Sequence, residues 1–173
     1  MDHGLKSGAG WAGLLILLAG GCTSSTPGPA QASPTNLHMV AGGCAGTVVT
    51  DSEPPVWAQG GFRHTTPWPV PWALGKPGDA VAFLFTKQLV AGSPLVGGPN
   101  KVRWSVKDKA ASFVVEGRPF GQSQPVLIVQ GGASDEAVPT PGCWTFRVLW
   151  GAHRDPGSTI NLEVLPAETL PAR

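Results

Sequence analysis

Three cysteines are the side chains best placed to do chemistry in this sequence of 173 residues. Cys22 ends an apolar run, GLLILLAGGC, whereas Cys44 and Cys143 lie near the two ends of the remaining chain. Two cysteines in an exported domain predict one disulfide. A metal site would need histidines or carboxylates at ligand spacing, and a redox pair usually has the spacing C-x-x-C; neither pattern surrounds Cys44 or Cys143.

Histidines and acids are the other groups that could act on a substrate. His38, His64 and His153 are isolated in loop-like contexts. The acids are scattered, with Asp51 and Glu53 near one turn and Asp135 and Glu136 in another. Patterns such as G-x-S-x-G, S-x-x-K and H-E-x-x-H, which place a nucleophile or a metal for catalysis, are absent. We therefore predict no enzyme activity, no catalytic or metal-binding residues and no cofactor. The alternative is a small envelope enzyme or a metal-handling protein that uses His64 and its neighbours.

An aromatic segment, PPVWAQGGFRHTTPWPVPWAL at 54–74, is the strongest sign of a binding function. Aromatic side chains on stiff, proline-rich loops give a large contact area at a small entropic cost, for sugar rings or for protein surfaces. The alternative is that the large aromatic side chains cover the core, as such residues usually do. The predicted binding surface consists of Trp57, Phe62, His64, Trp68 and Trp72.

The apolar run before Cys22 has the order of a secretory signal peptide: a weakly positive end, a short apolar core and then small residues. The run is too short for a transmembrane helix, which needs about 20 mainly apolar residues. Its end, LAGGC, resembles the lipobox of bacterial lipoproteins, although Ala19 stands where leucine is commonest and Leu18 lies one place earlier. The resemblance implies a signal peptide at 1–21 and a diacylglyceryl and palmitoyl anchor on Cys22. An ordinary secretory signal, with Cys22 incidental, is the alternative.

Residues 22–37 carry no charge and no aromatic side chain, and they are rich in Ser, Thr and Pro. Such a composition cannot bury enough apolar surface to fold, so we expect a flexible tether. A coil of this length spans on the order of 20 Å. Its hydroxyl groups beside prolines also suit an O-glycosylated stalk. The lipid anchor and the tether together predict a domain on the outer face of the cell membrane.

The rest of the chain, 38–173, is predicted to fold as an antiparallel, immunoglobulin-like β-sandwich of about seven strands. Helices are disfavoured because the chain has 24 Gly and 18 Pro and only 13% charged residues. A turn at 108–111 predicts a hairpin between its flanking strands, and a helical turn is possible between Pro55 and Gly60. The seven predicted strands lie at 47–49, 80–85, 101–107, 112–117, 125–130, 143–150 and 159–165.

The segment 139–166 resembles the last two strands of bacterial immunoglobulin-like sandwiches, in which a Pro-Gly turn leads to an aromatic strand. More of the chain resembles an uncharacterised group of actinobacterial lipoproteins. The resemblance rests on CAGTVVTDSEPPVWAQGGF, AVAFLF, NKVRWSVKD and PGCW, in that order. It implies an exported, lipid-anchored, all-β protein, and it implies no activity.

A formal net charge of +1 and the lack of any Lys/Arg cluster predict no nucleic-acid partner. Together these features predict a lipid-anchored extracytoplasmic domain that acts as a non-catalytic binding or envelope-interaction module. Its expected partners are the membrane, through Cys22, and a cell-wall glycan or an envelope protein.

Overall fold

Two β-sheets packed face to face form the domain, which confirms the predicted all-β sandwich. A computed structural model describes residues 38–92, 100–109, 111–151 and 157–167. The predicted signal peptide, Cys22, the tether and His153 lie outside these ranges. The strands are β1 (Met39–Val40), β2 (Val49–Thr50), β3 (Trp72–Leu74), β4 (Ala80–Leu84), β5 (Leu89–Val90), β6 (Lys101–Val106), β7 (Phe113–Pro119), β8 (Leu127–Gln130), β9 (Ala133–Asp135), β10 (Gly142–Trp150) and β11 (Gly157–Leu165).

The first sheet has the order β1-β2-β3-β4-β6-β9, and the second has the order β5-β11-β10-β7-β8. All seven predicted strands are present, with small shifts at their ends. The four additional strands, β1, β3, β5 and β9, are two or three residues long. Strands this short form because neighbouring strands pair with them. They contain too few residues to show an alternation of apolar and polar side chains in the sequence. One pair, β5 with β11, is parallel, so the second sheet is mixed.

The predicted hairpin across 108–111 is wrong. β6 pairs with β4 and β9 in the first sheet, whereas β7 pairs with β10 and β8 in the second. The chain therefore crosses between the sheets at this turn, which lets Val106 and Val115 meet in the core between them. β10 and β11 do form an antiparallel hairpin, in register from Gly142 opposite Val164 to Leu149 opposite Gly157.

The main core lies between the sheets and contains the alternating residues that the sequence predicted for the inward faces. On β6, β10 and β11 these are Val102, Trp104, Val106, Trp144, Phe146, Val148, Ile160, Leu162 and Val164, all of them buried. At about 25 cal/mol per Å² of apolar surface removed from water, this layer is the main source of stability. The disulfide between Cys44 and Cys143, with its Cα atoms 5.9 Å apart, confirms the predicted pairing.

A second, smaller core covers the outer face of the first sheet. β4 explains why it exists: its five residues are all buried, Ala80, Ala82 and Leu84 in the main core, and Val81 and Phe83 on the opposite face. Successive side chains of a strand point to opposite faces, so Val81 and Phe83 need a cover of their own. Residues 54–70, here called the cover segment, supply it, and they include a short 3-10 helix at Val56–Ala58, in the stretch where a helical turn was predicted.

Candidate functional site

The aromatic residues predicted as a binding surface are mostly part of the second core. Trp68 is 3% exposed and Trp72 is 5% exposed, and both pack with Val81 and Phe83. The prediction that these two tryptophans form a surface is therefore wrong. The physical reason is that the outer face of β4 is as apolar as its inner face, and the indole rings bury it. Trp72 also donates its indole N–H to the carbonyl of Ser52, at 2.6 Å.

Trp57 and Phe62 are partly buried and hold the cover segment against the sheet. The Phe62 ring lies 4.5 Å from the Phe83 ring, centroid to centroid. The guanidinium of Arg103, on β6, lies 5.0 Å from the Phe62 centroid and donates to the carbonyl of Gly60 at 2.8 Å. A cation over an aromatic face is attracted to it, so these contacts anchor this part of the cover segment rather than present it to a ligand.

His64 is the one member of the predicted surface that stays exposed, and it lines a polar cleft of about 790 Å³. We call this the histidine cleft. The pairing of β1 with β2 brings His38 beside Asp51. The backbone N–H of Trp68 donates to the backbone carbonyl of Asp51 at 2.7 Å, and this hydrogen bond brings the 64–67 loop to the same place. The cleft is lined by His38, Asp51, Ser52, Glu53, His64, Thr65, Thr66, Pro67 and Trp68.

Each histidine in the cleft has a carboxylate on its Nδ1 side. His38 Nδ1 lies 2.7 Å from Asp51 Oδ1, and His64 Nδ1 lies 3.9 Å from Glu53 Oε1. A neutral His38 ring that donates from Nδ1 to Asp51 keeps a lone pair on Nε2, where it can accept a hydrogen bond from a ligand. The His64 ring, at 3.9 Å from Glu53, is too far away for a hydrogen bond to it. When protonated, the same rings donate instead. The cleft therefore offers both donors and acceptors to a polar molecule.

In the described part of the chain, the cleft contains neither a hydroxyl–base pair for nucleophilic catalysis nor a set of metal ligands. In the described ranges, neither imidazole ring hydrogen-bonds to Ser52 or Thr65, so the hydroxyl–base contact typical of nucleophilic catalysis is not formed. The same ranges contain no group of three or more His, Cys, Asp or Glu side chains that could hold a metal ion. What the arrangement can do is bind a polar ligand through hydrogen bonds.

An apolar groove of about 700 Å³ adjoins the cleft, and Glu53 lines both. Val49 and Ala73 pair across β2 and β3 and point into the main core, so the neighbouring Val48 and Leu74 point outward into the groove. The exposed Val56 of the 3-10 helix forms part of the opposite wall. This groove was not predicted from the sequence, because the outward orientation of Val48 and Leu74 becomes clear only from the register of β2 and β3.

A buried carboxyl group, that of Glu136, was also missed. Glu136 Oε1 accepts hydrogen bonds from the indole N–H of Trp104, at 2.9 Å, and from the Ser134 hydroxyl. Burial raises the pKa of Glu136 above its ordinary value of 4.5, the two hydrogen bonds lower it, and the nearby Asp135 raises it further. The carbonyl of Glu136 accepts from buried Asn100. This group belongs to the interior of the domain, and it is not part of the cleft or the groove.

Comparison with protein-family models, with curated proteins and with solved structures finds no match. The resemblances to immunoglobulin-like sandwiches and to actinobacterial lipoproteins therefore stay predictions. Within the described ranges, no helix is long and apolar enough to cross a membrane.

Proposed function

We propose that the chain is a lipid-anchored, extracytoplasmic binding module that holds a polar ligand of the cell envelope in the histidine cleft. The cleft is the observation that carries this proposal. Ligand sites are concave and converge a few polar groups on one space. Here His38, Asp51, Glu53 and His64 converge in one cleft, while the tryptophans nearest to it, Trp68 and Trp72, are buried.

Export and anchoring are supported by the cysteines. The Cys44–Cys143 disulfide fits an oxidising compartment, where such bonds form and persist. Cys22 follows an apolar run of signal-peptide length and precedes an uncharged segment of sixteen residues, 22–37. Two acyl chains on Cys22 would supply the two signals that stable membrane anchoring needs.

Among envelope ligands, a cell-wall glycan fits the cleft best. Sugar hydroxyls both donate and accept hydrogen bonds, and the cleft offers carboxylates, imidazoles and hydroxyls to match them. Recognition of a glycan here would rely on hydrogen bonds, since Trp68 and Trp72 present no free ring face for stacking. An envelope protein that inserts a polar loop into the same cleft is the alternative occupant.

The anchor and the ligand site are tested separately. For the anchor, the wild-type chain and Cys22→Ser are expressed in a bacterium that processes lipoproteins, with an alkyne-bearing fatty acid. We expect label and membrane retention in the wild type and loss of both in Cys22→Ser. Equal labelling of the two would contradict the anchor.

For the ligand site, the melting temperature is followed against soluble cell-wall glycan fragments. A ligand at 100 times its Kd stabilises by about 2.7 kcal/mol, a shift of several degrees. We expect Asp51→Asn to reduce the shift strongly, because it replaces the carboxylate beside His38 in the cleft with a neutral amide. Asp79→Asn is the matched control, since Asp79 pairs with Lys107 outside the cleft. A shift that both variants retain would contradict the site.

Metal handling is the second candidate function, and one observation favours it. Histidines that bind metals usually donate their other ring N–H to a carboxylate, and His38 Nδ1 lies within hydrogen-bond distance of Asp51 Oδ1. Titration with Cu²⁺ or Zn²⁺, followed by calorimetry, tests it. Stoichiometric binding that is lost in both His38→Gln and His64→Gln would favour metal handling over glycan binding.

A further inference from the structure

Exposed apolar side chains cluster around the groove on the outer face of the first sheet. Val48, Val56 and Leu74 line it, and Val56 is 84% exposed. Met39 is 66% exposed and lies opposite Thr50, another groove residue, in the β1–β2 register. Exposed apolar side chains grouped on one side of a domain mark an interaction surface. We call the side chains of Met39, Val48, Val56 and Leu74 the apolar patch.

The place of this patch along the chain identifies what covers it. Met39 follows Cys22 by seventeen residues in the sequence. A flexible chain of that length has a mean span on the order of 20 Å. If Cys22 is acylated, as the proposed function holds, the patch cannot move far from the bilayer. Tethering of this kind gives an effective concentration in the millimolar range, so a contact too weak to hold a free domain becomes well populated.

The groups around the patch are compatible with a lipid surface. Prolines 54, 55 and 77 stiffen the groove walls, and Lys76 is exposed beside them, where it can meet anionic headgroups. Glu53, the acid that lines the groove, lies where the groove meets the histidine cleft. The remaining groove residues carry no charge.

We propose that the apolar patch seats the domain on the outer surface of the membrane that carries its anchor, with Met39 and Val56 entering the interfacial layer. This inference rests on the proposed lipid anchor and adds an orientation to it. The histidine cleft then opens beside the headgroups, because it shares Glu53 with the groove. The domain would recognise its ligand close to the membrane and not at the full reach of the tether.

The test uses the full-length lipidated protein in vesicles of phosphatidylethanolamine and phosphatidylglycerol. An environment-sensitive nitrobenzoxadiazole dye is attached to Val56→Cys or, as a second reporter, to Met39→Cys. Val126→Cys is the matched control, since Val126 is also exposed, at 56%, but precedes β8 of the second sheet. We expect a blue-shifted, several-fold brighter emission at positions 39 and 56, with quenching by spin-labelled lipids, and neither effect at 126.

Vesicle flotation separates the two possible failures. If the wild-type chain does not float, or if Cys22 reacts with maleimide, the proposed anchor fails and this inference fails with it. If the chain floats but positions 39 and 56 behave as position 126 does, the anchor stands and the orientation is overturned. A dye signal that rises with the protein-to-lipid ratio and resists lipid quenchers would assign the patch to a second copy of the chain, which also overturns the inference.

Discussion

Replacing Glu136 with glutamine should remove a pH dependence from the stability of the domain. Glu136 is 1% exposed, and its Oε2 atom has no hydrogen-bond partner in the described part of the chain. Burial raises the pKa of this carboxyl group in the folded state. Glutamine keeps the Oε1 acceptor for Trp104 and Ser134 and cannot ionise. The substitution therefore changes the titration while preserving the shape.

The sign follows from proton binding in the two states. Below pH 4.5, the ordinary value for Glu136, both states hold the proton and its contribution to stability is complete. Above that pH the unfolded chain releases the proton, while the folded chain keeps it up to its raised pKa. The folded state then binds more protons, so the free energy of unfolding falls as pH rises. One proton gives a limiting slope of about 1.4 kcal/mol per pH unit, and the slope ends at the folded pKa.

Urea unfolding followed by tryptophan fluorescence, in buffers from pH 4 to pH 8, measures this slope. The transition midpoint is compared between the wild type and Glu136→Gln, with Glu163→Gln on β11 as the control, because Glu163 is only half-buried. We expect Glu136→Gln to gain stability relative to the wild type as pH rises above 4.5, and Glu163→Gln to follow the wild type. A constant difference between wild type and Glu136→Gln at every pH would refute the reasoning.

Three further predictions, each with its own substitutions, test the packing. Replacing both Cys44 and Cys143 by alanine should lower the free energy of unfolding by up to about 4–5 kcal/mol, because the disulfide closes a long loop. Urea unfolding measures this loss. Trp68→Ala should lower the free energy of unfolding by about 3–5 kcal/mol. Trp57→Ala should lower it clearly less, since Trp57 is only partly buried. Equal losses of stability in urea unfolding would contradict the second core. Arg103→Ala should speed amide exchange at 60–62 while leaving β10 protected, because Arg103 anchors that stretch of the cover segment; unchanged exchange at 60–62 would contradict the anchor.

The strands with a clear alternation were predictable from the sequence, and the additional strands were not. On β6, β10 and β11 every second residue is apolar, which identifies the inward face without knowledge of any partner. The uninterrupted apolar sequence of β4 favours the stated alternative, that the large aromatic side chains are buried. A strand that is apolar at every position has both faces covered, and the only nearby aromatic-rich segment, 54–74, supplies the cover. Reading the two together would have predicted that Trp68 and Trp72 are buried.

The histidine cleft could not be predicted, because its parts meet only through pairings that the sequence leaves open. His38 and Asp51 lie thirteen residues apart and become neighbours through β1, a strand of two residues. His64 lies near them because the backbone N–H of Trp68, four residues later, donates to the backbone carbonyl of Asp51. Neither pairing has a pattern that could be detected beforehand. His38 and His64 lie outside the strands, as the sequence predicted, and their grouping required the fold.

The two sheets differ on their outer faces, and the histidine cleft and the groove both lie at the first sheet. On the outer face of the second sheet, Thr145 lies opposite Asn161 and Glu116 lies opposite Arg147, so polar pairs occupy much of this face. On the first sheet the outer face is apolar at β4, and the chain folds back over it. A cover of irregular backbone does not match the surface of a sheet at every point. The cleft and the groove lie where residues 51–56 and 64–68 leave the sheet incompletely covered. The apolar excess of one strand thus creates both concave sites, on the sheet whose first strand follows the predicted tether.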